Sequence, residues 1–319
     1  MIKIFPVGNV LRLDRPPQYS LFQWSPFANK KDIQSLRNQQ IIISSLKEAD
    51  LIISYSLKEL WPLMLWYGKR KKFMIWTHEP RYDTHFESLV KYPFLPKLHV
   101  LNVYTGLCTK NYMWLPTKVH LKPLNKFEFK HRKVVALMRY INNPKKWSLK
   151  YQGKELDLLY LRTQIALEGY SMKMLDVYGV GWPENIRKGE SQHGEWPKAK
   201  QETLQNYHFN LAFENTKWPY YCTEKIWDSI QGGCLPIYYG ESNAIYEDFP
   251  QDSFLDYCQF GNAQELFRYI QLMTPQEFIK RMNLCIEAFN IASKNRETTG
   301  ISPHNLEVTA SKIQEIVEQ

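Results

Sequence analysis

Thr223-Glu224-Lys225 follows a loop holding Trp218, Tyr220 and Tyr221 and precedes an apolar segment with helical spacing. Thr223 is placed to cap that helix, which puts Glu224 and Lys225 in its first turn. A helix start offers free backbone N–H groups and a partial positive charge. A lysine there gains nothing from the helix dipole, so its position suits a phosphate partner. The plainer reading is a solvent lysine paired with Glu224 or Asp228. Glu224 suits the dipole by itself, and a carboxylate at such an edge can also accept hydrogen bonds from both hydroxyls of a ribose. Tyr221 can stack on a base or hydrogen-bond a phosphate, or simply anchor its loop. Upstream, the apolar run Phe209–Phe213 ends in Glu214-Asn215, where Asn215 is a further polar candidate or a residue that turns the chain. Far from these, His78-Glu79 closes an apolar run, KFMIWT (72–77). A carboxylate there can remove a proton from a hydroxyl. His78 is the rival base, having a pKa nearer neutrality, but adjacent strand residues face opposite ways, so only one of the two serves.

These residues need strands that end together. Phe209–Glu241 reads as strand, loop, helix and strand in the span of one βαβ unit, with its charges where the first strand meets the helix. Before it come strands predicted at Val134–Met138 and Met174–Tyr178 and a helix over 155–170 that carries Arg162 on one face. The first half shows the same alternation: strands at Ile2–Val7, Ile41–Ile43, Leu51–Tyr55, Lys72–Thr77 and Val100–Tyr104, and a helix over Ser56–Tyr67 with Pro62 as a kink or a start. Residues 8–38 read as a long irregular surface segment. Strands alternating with helices predict an α/β protein with parallel sheets. Helices follow at 263–273 and at 275–290, the latter with Thr274 as N-cap, Pro275 at the first position and Glu277 to close a capping box. Ser302-Pro303 starts a last helix, which could pack back across the domain junction. The basic, patternless stretch PTKVHLKPLNKFEFKHR reads as a linker. The expected division is 1–120, a linker at 121–132, a second domain at 133–300 and a C-terminal helix at 301–319.

The bulk properties set limits. A length of 319 residues is comfortable for two domains. The net charge of +9 fits an anionic small ligand, an anionic membrane surface, nucleic acid or merely a solvated surface. Its densest runs are Lys69–Lys72 and Lys130–Lys133. Five scattered cysteines with no CxxC form neither a disulfide framework nor a zinc site, and they fit a reducing compartment. The N-terminal apolar segment is too short to span a membrane. No GxGxxG, P-loop, HExxH or GxSxG occurs, nor any DxD triplet that would hold a metal–diphosphate. A diphosphate leaving group would then be neutralised by Lys, Arg and helix N–H groups, with no metal ligands to assign.

The stretch FNLAFENT…YYCTEKIWDSIQGGCLPIYYGESNAIYEDFPQDSFLD resembles, in order and spacing, the α-1,3/4-fucosyltransferases of glycosyltransferase family 10. YLRTQIALEGYSMKMLDVYG resembles the family's arginine-bearing helix and following strand, and IWTHEP stands at the place of its E-x-P or E-N motif. The resemblance implies a GT-B fold, two Rossmann-like domains facing a cleft, with the second binding GDP-fucose and the first an oligosaccharide acceptor. It implies inverting transfer of L-fucose to a glycan hydroxyl, O3 of GlcNAc in an N-acetyllactosamine-type acceptor. Lys225 and Arg162 would hold the diphosphate, Glu224 the ribose, Tyr221 and Asn215 would contact the nucleotide, and Glu79 would be the base. No cofactor is implied, and a divalent metal is at most stimulatory. Lacking an anchor and luminal disulfides, the chain looks like a bacterial, cytoplasmic member acting in lipopolysaccharide or oligosaccharide biosynthesis. The acidic last helix argues against stable anchoring through it, leaving at most peripheral membrane contact. The alternatives are a transferase using another nucleotide sugar and a non-enzymatic glycan or RNA binder, although no nucleic-acid recognition module is visible.

Overall fold

The first apolar runs of the chain become a parallel sheet. In the computed structural model, which describes residues 1–7, 25–28, 30–80, 89–91, 93–104, 110–116, 118–190, 196–241, 243–299 and 306–319, the contacts divide into two units. One is Met1–Lys110 with Ile301–Gln319, and the other is Asn111–Gly300.

The first unit contains β1 (Ile2–Pro6), α1 (Lys30–Asn38), β2 (Ile41–Ile43), β3 (Leu51–Ser54), α2 (Leu57–Tyr67), β4 (Lys72–Thr77), β5 (Leu89–Val90) and β6 (Leu98–Asn102). Its sheet order is β2-β1-β3-β4-β6-β5. Every pairing is parallel except β5 with β6. β3 and β6 are buried at every position, as strands covered on both faces must be. Ile52, Phe73, Ile75 and Val100 pack with Leu60 and Met64 of α2 in one core. Pro62 lies inside α2 rather than at its start. α1 overturns the irregular reading of its part of 8–38. It buries Asp32 and Leu36, and Ile33 is its one other apolar residue, so its apolar period is too thin to read. Residues 8–24 and 29 lie outside the described residues.

The second unit contains β7 (Val134–Leu137), the small hairpin β8–β9 (Lys150–Tyr151, Lys154–Glu155), α3 (Leu159–Ser171), β10 (Leu175–Tyr178), β11 (Arg187–Gly189), α4 (Trp196–Leu204), β12 (Phe209–Leu211), α5 (Glu224–Gln231), β13 (Leu235–Tyr238), β14 (Leu255–Asp256), α6 (Ala263–Leu272) and α7 (Pro275–Thr299). The main sheet runs β11-β10-β7-β12-β13-β14, parallel throughout. The chain winds outward from β7 in one direction, returns, and winds outward from β12 in the other. The strand order therefore reverses between β7 and β12, and the C-terminal edge there is where a doubly wound sheet binds ligands. Thr274 caps α7 as expected, its Oγ1 accepting from the Glu277 N–H at 3.1 Å.

Residues 121–132, expected to be a linker, belong to the second unit, and the boundary falls between Lys110 and Asn111. Asn290 and Asn283 of α7 accept from the Leu121 and Leu124 N–H groups at 2.9 and 2.7 Å. Phe127 stacks on Phe278 at 3.9 Å. The basic composition hid the aromatic anchors Phe127 and Phe129, the latter stacked on Phe209. The last helix, α8 (Leu306–Glu318), is part of the first unit. It buries Ala310, Ile313 and Ile316, and Thr309 accepts from the Trp76 indole at 3.3 Å. Its expected start at Ser302-Pro303 lies outside the described residues. No described helix is long and apolar enough to cross a membrane.

Candidate active site

In the second unit the chain leaves β12, runs two apolar residues further and places Glu214 almost fully buried at 2% exposure. A carboxylate this deep needs partners, because desolvation penalises its charge. It has several. The Thr223 N–H donates to Glu214 Oε1 at 2.7 Å, and the Thr223 hydroxyl donates to Oε2 at 2.8 Å. The Lys225 ammonium sits 2.8 Å from Oε2 and also donates to Thr223 Oγ1 at 2.6 Å. Glu214 thus caps the start of α5 from outside the helix and lies at the positive end of its dipole. Thr223 occupies the N-cap position, but its hydroxyl serves Glu214 and makes no cap bond to its own helix.

The next residues latch this edge to α3. Leu158 N–H donates to Asn215 O at 3.0 Å and Lys217 N–H to Leu156 O at 2.7 Å, while Asp157 Oδ2 accepts from Leu159 N–H at 3.0 Å. That clamp sets the start of α3, and one turn later Arg162 projects to the end of β12. Its guanidinium is 7% exposed and donates to Phe213 O at 3.3 Å, while its Nε has no hydrogen-bond partner. Burial works against the charge of Arg162 and lowers its pKa, with Glu214 the leading counterweight. Lys225 is pulled both ways. Burial and Arg162 oppose its charge, Glu214 and Glu224 favour it, and the pKa ends above the ordinary lysine value. Two cations, Arg162 and Lys225, thus stand beside Glu214 at a sheet switch point, where cationic donors and a helix start suit an anion.

Glu224 is partly exposed, 3.7 Å from Lys200 and 4.0 Å from Lys225. Burial raises its pKa, but the two ammonium groups outweigh that and hold the carboxyl down at about 2. The folded value lies below the unfolded one. The stabilisation is therefore present at neutral pH and is lost as pH falls through the acid range toward 2. Glu224→Gln is accordingly expected to cost more stability at neutral pH than in strong acid, as checked by urea unfolding of variant and wild type at both.

Of the residues expected to act together, Arg162, Glu224 and Lys225 converge here. Tyr221 is buried at 2% exposure, its N–H bonded to Trp218 O at 3.1 Å, and it lies within the electrostatic field of Arg162. Asn215 is half-buried and holds the clamp through its carbonyl. Of the two partners expected for Lys225, Glu224 lies at 4.0 Å, beyond the closer Glu214. Asp228 is 2.6 Å from Lys200 of α4 instead. The sequence reading missed Glu214 and Lys200 as parts of the cluster. The signal for Glu214 was a carboxylate set directly after a five-residue apolar run. α4 is mostly polar and was not among the expected helices, so Lys200 carried none.

Glu79 belongs to the first unit, two residues beyond β4. It is half-buried, and its N–H donates to Thr77 Oγ1 at 2.9 Å. His78 is buried, its ring edge-on to Trp76 at 4.7 Å and to Tyr55 at 6.1 Å. The two neighbours have different surroundings: one is an aromatic packing site, the other a half-buried carboxylate. Among the described residues, no three His, Cys, Asp or Glu side chains group to hold a metal ion.

The sequence pattern described as "Glycosyltransferase family 10 (fucosyltransferase) C-term" matches residues 161–281. The matched stretch includes Arg162, Glu214 and the whole of α5. The chain is 37% identical over 100 residues to the human 3-galactosyl-N-acetylglucosaminide 4-alpha-L-fucosyltransferase FUT3, which is 30% of this chain and 25% of that protein. It is 42% identical over 100 residues to the 4-galactosyl-N-acetylglucosaminide 3-alpha-L-fucosyltransferase FUT6 of Gorilla gorilla gorilla, covering 30% and 25%. The chain thus spans about a quarter of the length of these relatives. In structure it is similar to a crystal structure of an alpha1,3-fucosyltransferase, with TM-score 0.50 and 16% identity over 96% of this chain and 92% of that one. The fold is of the GT-B type, built of two Rossmann-like units.

Proposed function

We propose that the protein is an inverting α-1,3-fucosyltransferase that moves L-fucose from GDP-fucose to a glycan hydroxyl, O3 of GlcNAc in an N-acetyllactosamine-type acceptor. The observation that carries this reading is the Glu214–Thr223–Lys225 cluster with the buried Arg162 beside it, at a sheet switch point and within the stretch that matches family 10. Lys225 and Arg162 neutralise the charge that grows on the diphosphate as the bond from the anomeric carbon to its oxygen breaks. Glu214 keeps Lys225 charged and aimed. Glu224, ionised, accepts from the ribose hydroxyls. Asn215 and Tyr221 border the nucleotide, and the burial of Tyr221 supports a second task for it, keeping Arg162 in place. Glu79 accepts the acceptor's proton while the acceptor oxygen attacks the anomeric carbon from the face opposite GDP. The half-open position of Glu79 supports it over His78, whose ring is packed among aromatics.

The test is turnover of GDP-fucose against a panel of acceptors, with GDP-mannose and UDP-sugars as rival donors, with and without EDTA. Transfer from GDP-fucose to type-2 lactosamine ends, unaffected by EDTA, is the expected result. Transfer only from another donor, or none, would overturn the reading. For the base, Glu79→Gln is expected to lower kcat about 10²–10⁴-fold, the usual contribution of general base catalysis. A variant with normal kcat across the pH range would remove Glu79 from that role.

A further inference from the structure

We propose that the first unit docks on an anionic phospholipid surface through the outer face of α2 and the lysine-lined recess that follows it. A helix of a soluble protein turns its polar side outward. α2 does the reverse on part of its surface. Lys58, Trp61, Pro62, Leu65, Trp66 and Lys69 recur at three- and four-residue spacing, and all are exposed. Leu65 is 61% and Trp66 74% exposed. The inward positions, Leu60 and Met64, are fully buried, so the helix has apolar residues on both sides, and the outer set explains nothing about the core. Phe94, wholly exposed, adds another ring close in sequence to Lys91 and Lys97.

The charge beside this face supplies the partner. Where α2 ends, Lys69, Lys71, Lys72, Lys91 and Lys97 line a recess of about 460 Å³ with His99. Lys71 and Lys72 are fixed, Lys71 on Lys47 O at 2.8 Å and Lys72 on Ile316 O at 2.8 Å. Lys69, Lys91 and Lys97 make no ion pair among the described residues, and Glu315, the carboxylate felt at His99, is already paired with Lys312 at 3.0 Å. His99 is neutral there, burial and the neighbouring lysines pushing its pKa down to about 4, so it adds no charge to that of the lysines. Exposed Trp and Leu beside uncompensated lysines match the two layers of a bilayer surface, acyl boundary and anionic headgroup. Leu95, Pro96 and Ile316 also line the recess, and the lysine heads supply its charge. The recess lies at the start of β4 and Glu79 beyond its end, with six strand residues, roughly 20 Å, between. The recess therefore leaves that end of the sheet open.

The full chain should float with vesicles of phosphatidylcholine doped with phosphatidylglycerol, and not with vesicles of phosphatidylcholine alone. Binding should weaken as salt is raised. Trp61→Ser/Leu65→Ser/Trp66→Ser should lower the partition coefficient by about tenfold or more. Each of Lys69→Gln, Lys91→Gln and Lys97→Gln should lower it by about fivefold. All variants should keep wild-type turnover of soluble substrates. No flotation at low salt, equal flotation with both vesicle types, or full binding by the triple serine variant would overturn the proposal. So would a wild-type dimer in solution that the triple serine variant converts to monomer, since a second copy of the chain would then be what covers the face.

Discussion

Lys225→Ala is expected to lower turnover by about 10²–10³-fold, the loss seen when one preorganised charge-stabilising contact is removed from a transition state. The ammonium is held by Glu214 at 2.8 Å and by Thr223 at 2.6 Å, so its position is set before any substrate arrives. A cation fixed this way does most for the state in which the leaving group carries most charge. The loss should therefore fall mainly on kcat, with a smaller change in KM for the donor. The variant also takes a counter-ion from Glu214, so thermal unfolding must accompany the kinetics. A variant folded at the assay temperature with near-normal kcat would remove Lys225 from the chemistry. One that loses donor affinity alone would make it a ground-state binding residue.

The second large effect is expected in stability. Glu214→Gln keeps the shape of the side chain and removes, among the described residues, the only carboxylate that Lys225 meets within hydrogen-bonding distance and the leading counterweight to buried Arg162. Removing one partner of a buried ion pair costs about 3–5 kcal/mol, because the other charge is left without compensation. In a unit of this size, that is a fall in Tm of roughly 6–20 °C. Glu241→Gln is the control. It breaks the Lys217 pair at 3.2 Å, but its side chain is 54% exposed. The expected change is within about 0.5 kcal/mol. Glu214→Gln melting alongside Glu241→Gln would mean that the cluster is not the keystone of this edge.

The parallel strands were legible because buried strands need unbroken apolar runs, and LIIS and KFMIWT have few other uses. The start of α7 was legible because Thr274, Pro275 and Glu277 are local signals. α1 and α4 were not. Each has few apolar residues, and the pattern that marks an amphipathic helix is faint when most of its surface is wet. The 121–132 segment misled for a related reason: its lysines dominate the composition, while Phe127 and the backbone bonds to Asn283 and Asn290 decide where it lies. In the site, the order of polar residues pointed to Arg162, Glu224 and Lys225. The partner of Lys225 could not be read, because Glu214 is eleven residues away and only the sheet brings the two together. Burial was equally hidden. Tyr221 reads as an aromatic available to a ligand, and the fold encloses it.

The placement of α8 bears on how this chain is made. The first unit is interrupted: its sheet lies within Met1–Lys110, yet the helix that covers Trp76 and accepts from Lys72 comes after Gly300. During synthesis, domains ordinarily form in the order in which they emerge from the ribosome. Here the sheet of the first unit emerges first but waits, with Trp76 and the face under Ile313 uncovered, while all of Asn111–Gly300 is translated. The second unit can complete its core in that interval. The nascent chain thus finishes from the middle outward, and the longest exposure to chaperones and proteases falls on the half that was made first.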